Sequence, residues 1–269
     1  MKIFCITHKP IKELNNIGLI PTGVGKDNFP SNYIIENSGD NIASKNFCYS
    51  ETSFHYWLWK NYLPKMEKEE WIGTCQYRRY FVKKNFSDKI LYDNRQQGSF
   101  EIKSLEEFKS ILQLNPDEEW ENYDVILCKP WSVSNVKKMK LLKRGFRSLL
   151  KDPSIFFDKN KQTIKLHFDM NHGHGNLEKA ASLLPNHEKN DFLNYVSSNT
   201  WLKGHCIFIS KNRKVMNAFY NDLFTWLNRC EKIFGFNSSS YDTKRIYSFL
   251  TERYMPYWFE KYSKVLTWP

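Results

Sequence analysis

No stretch of this 269-residue sequence approaches the roughly 18 consecutive apolar residues that a membrane-spanning helix needs. The opening Met1-Lys2-Ile3-Phe4-Cys5-Ile6-Thr7-His8 has only a short apolar run before polar residues return, too little for a secretory signal. Neither an integral nor an exported protein is expected. There is no CxxC pair and no cysteine–histidine spacing suited to zinc. The six cysteines (Cys5, Cys48, Cys75, Cys128, Cys206, Cys230) lie far apart. Four of them, Cys5, Cys75, Cys128 and Cys206, sit in or beside short apolar runs and read as small, reduced core residues, which fits a reducing, cytoplasmic compartment. Absent too are the GxxxxGK[ST] phosphate loop, a GxGxxG after a strand and the GxSxG serine elbow, which disfavours nucleotide hydrolases, dinucleotide oxidoreductases and serine hydrolases of the elbow type.

What is present points to a folded core. Hydrophobic residues make up 41% of the chain and aromatics 16%, so the sequence is not of the disordered, low-complexity kind. With no repeat and no flexible linker, the length fits one domain, 1–269, carrying additions. Acidic residues are the scarcer charge, and the formal net charge is +11. Most of the excess lies between Trp131 and Lys165, where ten lysines and arginines face only Asp152 and Asp158. Within that basic insertion Val136, Met139, Leu142, Phe146, Leu149 and Leu150 recur near one helical face. Such a face suits an anionic membrane surface, at the inner side of a plasma membrane, or equally an ordinary solvated helix over core.

Short buried strands are expected at Lys2–Ile6, Trp71–Cys75, Asp124–Cys128 and His205–Ile209. Helices are expected from Ser44 or Asn46 to about Tyr62, over Leu105–Leu112, over Val215–Phe234 and after Tyr241. Strands alternating with helices predict an α/β fold with a mixed, mostly parallel sheet flanked by helices, Rossmann-type in layout. In such sheets ligands gather at the strand ends.

One strand end concentrates donors. Gln76-Tyr77-Arg78-Arg79-Tyr80 follows an apolar strand, and two adjacent guanidinium groups there are costly to bury without an anionic partner. A diphosphate would supply one, held by forked cationic donors with neutral hydrogen bonds from Gln76 and the tyrosines; a structural arginine–carboxylate network is the other reading. Glu51, one turn before His55, is an exposed pair or a buried anchor. Asp169 and the glycine-rich Asn171-His172-Gly173-His174-Gly175 loop offer a His-x-His pair that suits substrate contact, a plain loop, or a metal if a third ligand existed. A nucleic-acid-binding protein would match the basic pI, but the charge is not interleaved with the aromatics and no binding motif occurs, so nucleic acid is not the expected partner.

Several motifs in order resemble a known family: Thr7-His8-Lys9-Pro10, Gly39-Asp40-Asn41-Ile42, Lys45-Asn46, Tyr49 and Glu51, Tyr56-Trp57-Leu58-Trp59-Lys60-Asn61, and Ile72-Gly73 with Tyr77-Arg78-Arg79-Tyr80-Phe81. Weaker matches continue at Tyr123–Leu127, Phe168-Asp169 with His172 and His174, and Tyr241-Asp242, Arg245, Phe249-Leu250 and Glu252-Arg253. The pattern is similar to that of bacterial proteins from capsule and O-antigen loci, long catalogued as a domain of unknown function and including galactofuranosyltransferases.

The resemblance implies a GT-A-like fold, a nucleotide-diphosphate-sugar donor with UDP favoured, and a lipid-linked or growing glycan acceptor. On it, Thr7, His8, Lys9, Asp40, Asn41, Gln76, Tyr77, Arg78 and Arg79 would bind the nucleotide-sugar. Asp169, His172, His174 and His205 would meet the acceptor, and Asp242 or Glu252 would act as general base of an inverting transfer; Glu252 beside Arg253 reads equally as a buried ion pair. Many GT-A enzymes hold a metal on an Asp-x-Asp pair where this chain has Gln76-Tyr77-Arg78-Arg79, so no metal ligand and no cofactor is expected. A non-catalytic sugar-nucleotide-binding subunit is the alternative. The sequence departs from its relatives at Gln76, where they commonly have histidine, and at His205, where asparagine is frequent.

Overall fold

A computed structural model describes residues 1–237 and 240–269, with the side chains of Tyr241 and Asp242 outside the described set. Seven strands form the main sheet: β1 (Lys2–Thr7), β2 (Ile20–Gly23), β3 (Ile34–Ile35), β4 (Ile72–Gln76), β5 (Val125–Cys128), β6 (Phe208–Ser210) and β7 (Val265–Trp268). Their order is β3-β2-β1-β4-β6-β5-β7. All neighbours are parallel except β6, which runs against both β4 and β5. This is the mixed, mostly parallel sheet that the alternation of strands and helices predicts.

Alternation of side chains across the pleat divides the core in two. Phe4, Ile6, Ile72, Val125, Leu127 and Phe208 face one helical layer. Ile3, Cys5, Cys75, Ile126, Ile207 and Ile209 face the other, where Trp71, Trp120 and Trp268 pack ring against ring. The strands between them are therefore apolar on both sides, which is why they read as continuous runs in the sequence. The six cysteines are free thiols, five of them buried. At Gly73 any Cβ would stand 2.6 Å from Ile209 Cγ1, so glycine lets β4 and β6 approach.

The first layer is built from helix α1 (Thr52–Trp57), α2 (Ile164–His172), α3 (Asn186–Ser198), α4 (Arg213–Phe234) and α5 (Ile246–Tyr262). The α4 stripe Met216, Phe219, Tyr220, Leu223, Phe224 and Leu227 has helical spacing, and Asn212 caps its first turn by accepting from the Val215 N–H at 3.1 Å. Helix α5 is apolar nearly all round and correspondingly buried. It carries Glu252 and Arg253 inside the protein.

Two expected helices are interrupted. The one from Asn46 breaks at Ser50, whose φ of 50° is left-handed, before α1 begins. The basic insertion splits into Lys138–Arg144 and Phe146–Lys151 at Gly145, whose backbone (φ −98°, ψ 5°) leaves the helix and where a Cβ would lie 2.8 Å from the Leu141 carbonyl oxygen. Likewise Asn171 and His172 end α2 instead of lying in a loop. Among the described residues no helix is long and apolar enough to cross a membrane.

Candidate active site

The parallel strands β1 and β4 end side by side, and the chain turns sharply after each. Gln76 and Arg79 exchange both backbone hydrogen bonds, at 3.0 and 2.9 Å, so Tyr77 and Arg78 form the tip of a tight turn. The Arg78 guanidinium lies over the Tyr77 ring, 4.7 Å from its centroid, and Lys9 approaches the same ring at 5.8 Å.

A cavity of about 590 Å³ opens on one side of this turn, lined by Thr7, His8, Gln76, Tyr77, Arg78 and, from distant parts of the chain, Ser50, Glu51 and Arg245. That volume lies in the range of ligand sites. Arg245 Nε donates to Ser50 Oγ. Its NH2 lies 3.5 Å from Glu51 Oε2, and Ser248 donates to Glu51 Oε1 at 3.2 Å. Burial pushes the Glu51 carboxyl above its usual range despite the opposing charge of Arg245. On this cavity's far wall, Arg245 makes an arginine–carboxylate pair with Glu51.

A second cavity, of about 340 Å³, lies on the other side and is mainly apolar. It is lined by Tyr80, Tyr92, Ile102 and Phe108, together with Arg79, Trp131 and His205. Arg78 lines both cavities.

His205 and Cys206 join this edge from β6, and both have positive φ, 77° and 51°, where non-glycine residues are uncommon. Side chains hold the turn in place. Gln76 Nε2 donates to the His205 carbonyl at 2.7 Å, and His55 Nε2 bonds the Cys206 carbonyl at 2.9 Å. Burial drops the His55 pKa to about 4, so it is a neutral donor there, its Nδ1 accepting from Tyr220 OH at 3.0 Å. Glu252 Oε1 accepts the His205 N–H at 2.9 Å, under a Gly204 whose Cβ would meet that oxygen at 2.8 Å.

Behind the turn the charges are stacked in depth. Arg253, only 1% exposed, pairs with Glu252 and reaches His167 Nδ1 at 3.1 Å. Burial works to raise the Glu252 carboxyl, but Arg253 and His205 outweigh it and hold it below the usual range. The His205 pKa is lowered, chiefly by burial and further by Arg79 and Arg253 against the pull of Glu252. Arg79 Nε donates to His205 Nε2 at 3.4 Å, so Nδ1 carries the ring proton, 3.9 Å from Glu252 Oε1.

Of the residues expected to bind nucleotide-sugar, Thr7, His8, Gln76, Tyr77 and Arg78 converge on the first cavity, and Arg79 turns to the second. Lys9, Asp40 and Asn41 line neither: Lys9 stands over the Tyr77 ring, Asn61 and Tyr56 pin Asp40, and Asn41 caps the Ala43 N–H at 3.1 Å. Asp169 and His174 line a separate cavity, where Asp169 bonds Lys165 at 2.7 Å and the Gly175 N–H at 3.1 Å. His172 stacks on Phe249 with centroids 3.7 Å apart. Only His205 of the acceptor set reaches the sheet edge. The Asp242 side chain lies outside the described set. Among those described, no group of three His, Cys, Asp or Glu side chains converges to hold a metal ion. Ser50, Arg95 and Trp131 carry no signal in the sequence, and Arg245 falls in a matched motif without a role; Arg95 covers the Trp131 ring at 4.4 Å and lies in a loop that carries no motif.

The strand order, with β6 reversed among parallel neighbours, defines an α/β fold built on a mixed, mostly parallel sheet. The chain belongs to the family described as Domain of unknown function (DUF4422), which it matches over residues 2–264. It is similar in structure to WbbM, a bifunctional glycosyltransferase solved in its apo form, with a TM-score of 0.71 and 22% sequence identity. That likeness covers 100% of this chain but only 45% of WbbM. No curated protein matches the sequence.

Proposed function

We propose that this chain is a glycosyltransferase that moves a hexose, galactofuranose among the candidates, from a UDP-linked donor to a glycan or lipid-linked acceptor with inversion. The observation that carries the reading is the position of Arg78, which lines both a polar cavity and an apolar one at the C-terminal ends of parallel strands. The donor's nucleotide and diphosphate occupy the polar cavity. Arg78 supplies the cation for the leaving diphosphate, where a preorganised donor acts most strongly because charge develops there during transfer. Arg245, tied to Ser50 and Glu51, fixes the far wall.

The acceptor enters the apolar cavity, where His205 is the one histidine among the lining residues. Its neutral imidazole takes the proton of the acceptor hydroxyl at Nε2 once Arg79 turns to the anionic donor, a stronger partner for a guanidinium than an imidazole. Glu252, ionised behind the ring, steadies the imidazolium that forms. Glu252 therefore positions and His205 receives the proton. Asp242 remains the second carboxylate proposed for the base.

Thermal-shift screening against UDP-, GDP- and CMP-sugars tests the donor class, because a ligand that binds only the folded state stabilises it. Stabilisation by a UDP-sugar, followed by release of UDP that excess EDTA does not reduce, is the expected result. Stabilisation without any turnover would instead favour the non-catalytic subunit.

A further inference from the structure

The apolar residues of the basic insertion point in two directions. Leu141 and Ile155 are buried against Leu166 and Met170, with Val136 and Leu149 packed on the same small core. That core satisfies the inner face. Yet Met139, Leu142, Phe146, Leu150 and Phe157 are 63%, 45%, 56%, 68% and 82% exposed. Five of the molecule's exposed large apolar side chains thus fall within nineteen consecutive positions, 139–157. Leu142, Phe146 and Leu150 recur every fourth residue and are all exposed, on two short helices that meet at Gly145. Isolated exposed leucines are ordinary, but a concentration of this kind in one short segment marks a contact surface.

Exposed cations share the segment. Lys143, Arg147 and Lys151 stand in solvent. The stretch contains only two acidic residues, and one of them, Asp152, is already paired with Lys161 at 2.7 Å.

We propose that this segment docks the protein on an anionic lipid bilayer, with the exposed apolar side chains entering the headgroup–acyl boundary and the lysines and arginines on lipid phosphates. Charge complementarity selects that occupant. A nucleic acid would satisfy the cations but leave Phe146, Leu150 and Phe157 in water, whereas an anionic bilayer takes both at one depth. The inference is independent of the transfer reaction proposed above, since none of these residues lines the two sheet-edge cavities.

Co-sedimentation of the full chain with phosphatidylcholine vesicles, with and without about 30% phosphatidylglycerol, tests it. Sedimentation with the anionic vesicles is expected. It should fall at least roughly tenfold both in a Leu142→Ser/Phe146→Ser/Leu150→Ser/Phe157→Ser variant and in a Lys143→Gln/Arg147→Gln/Lys151→Gln variant. All the substituted side chains are exposed, so both variants should melt as the wild type does. Should either fail to fold, the wild type alone decides: binding must weaken between about 0.1 M and about 0.5 M salt as screening shortens. Failure to bind anionic vesicles, or binding that neither variant nor salt reduces, overturns the proposal. So does equal binding to a DNA fragment that the serine variant leaves unchanged. Loss of self-association in the serine variant, without any effect on vesicles, would give the face to a second copy of the chain.

Discussion

Gln76 and His205 are joined across the sheet edge, the side-chain amide donating to the histidine's backbone carbonyl at 2.7 Å. With His55 on the Cys206 carbonyl, two successive carbonyls of a left-handed turn are each held by a side chain. The relationship fixes His205 against the end of β4, beside Arg78 and Arg79. Gln76→Ala leaves that carbonyl without its donor and should cost about 1–2 kcal/mol in denaturant unfolding. Turnover should fall further than stability does, because the imidazole loses its placement. A variant with unchanged turnover would detach the turn from the chemistry.

The state of His205 makes a pH prediction. Its pKa lies below the ordinary 6.5, so the neutral base persists in mildly acidic solution. The acid limb of kcat/KM should therefore have its midpoint below 6.5, and should be absent from whatever residual activity His205→Asn retains. A midpoint at or above 6.5, or a limb that survives the substitution, would point to another base.

Glu252 balances a guanidinium that has almost no access to water. Glu252→Gln should destabilise the protein by roughly 3–5 kcal/mol, since Arg253 would stay buried with its charge uncompensated. Adding Arg253→Met should recover part of that loss in the double variant. Additive losses in the thermodynamic cycle would show that the two side chains do not act as a pair.

Glu36 should set a pH dependence of stability. It is almost fully buried; Oε1 accepts the Gly25 N–H at 3.1 Å, while Oε2 has no hydrogen-bond partner among the described residues. Burial pushes its pKa up to about 7 from 4.5. The folded state thus holds this proton more tightly than the unfolded state, so the contribution of Glu36 to stability is lost as pH rises from about 4.5 through about 7. Glu36→Gln should stabilise the protein above pH 7 by on the order of 2–3 kcal/mol and change little near pH 4. Unfolding curves at the two pH values give the comparison. An equal effect at both would assign the change to packing.

Much of the frame was legible because it rests on local pattern. The runs Lys2–Ile6 and Trp71–Cys75 are apolar on both faces and became strands within a residue of the expected ends. The α4 stripe was equally plain. The expected strand from His205 begins only at Phe208, since His205 and Cys206 adopt left-handed backbone that tertiary hydrogen bonds impose and no local pattern announces.

The site was legible at its motif-bearing edge and not elsewhere. Glu51 and Arg245 meet across 194 positions of sequence, and the apolar cavity draws on a loop near Gln97 with no motif of its own. Residue type can suggest that an arginine wants an anion. It cannot say which of several arginines shares a cavity with which carboxylate.

The most direct test is titration calorimetry of UDP into the wild type and Arg78→Ala. Arg78 is exposed, so the variant should keep the wild-type melting temperature. Saturable binding of UDP by the wild type is expected, with a loss of roughly tenfold or more in the variant, the scale of one charge-assisted hydrogen bond. Equal affinity in the two proteins, or no binding of UDP to the wild type, would contradict the role proposed for Arg78.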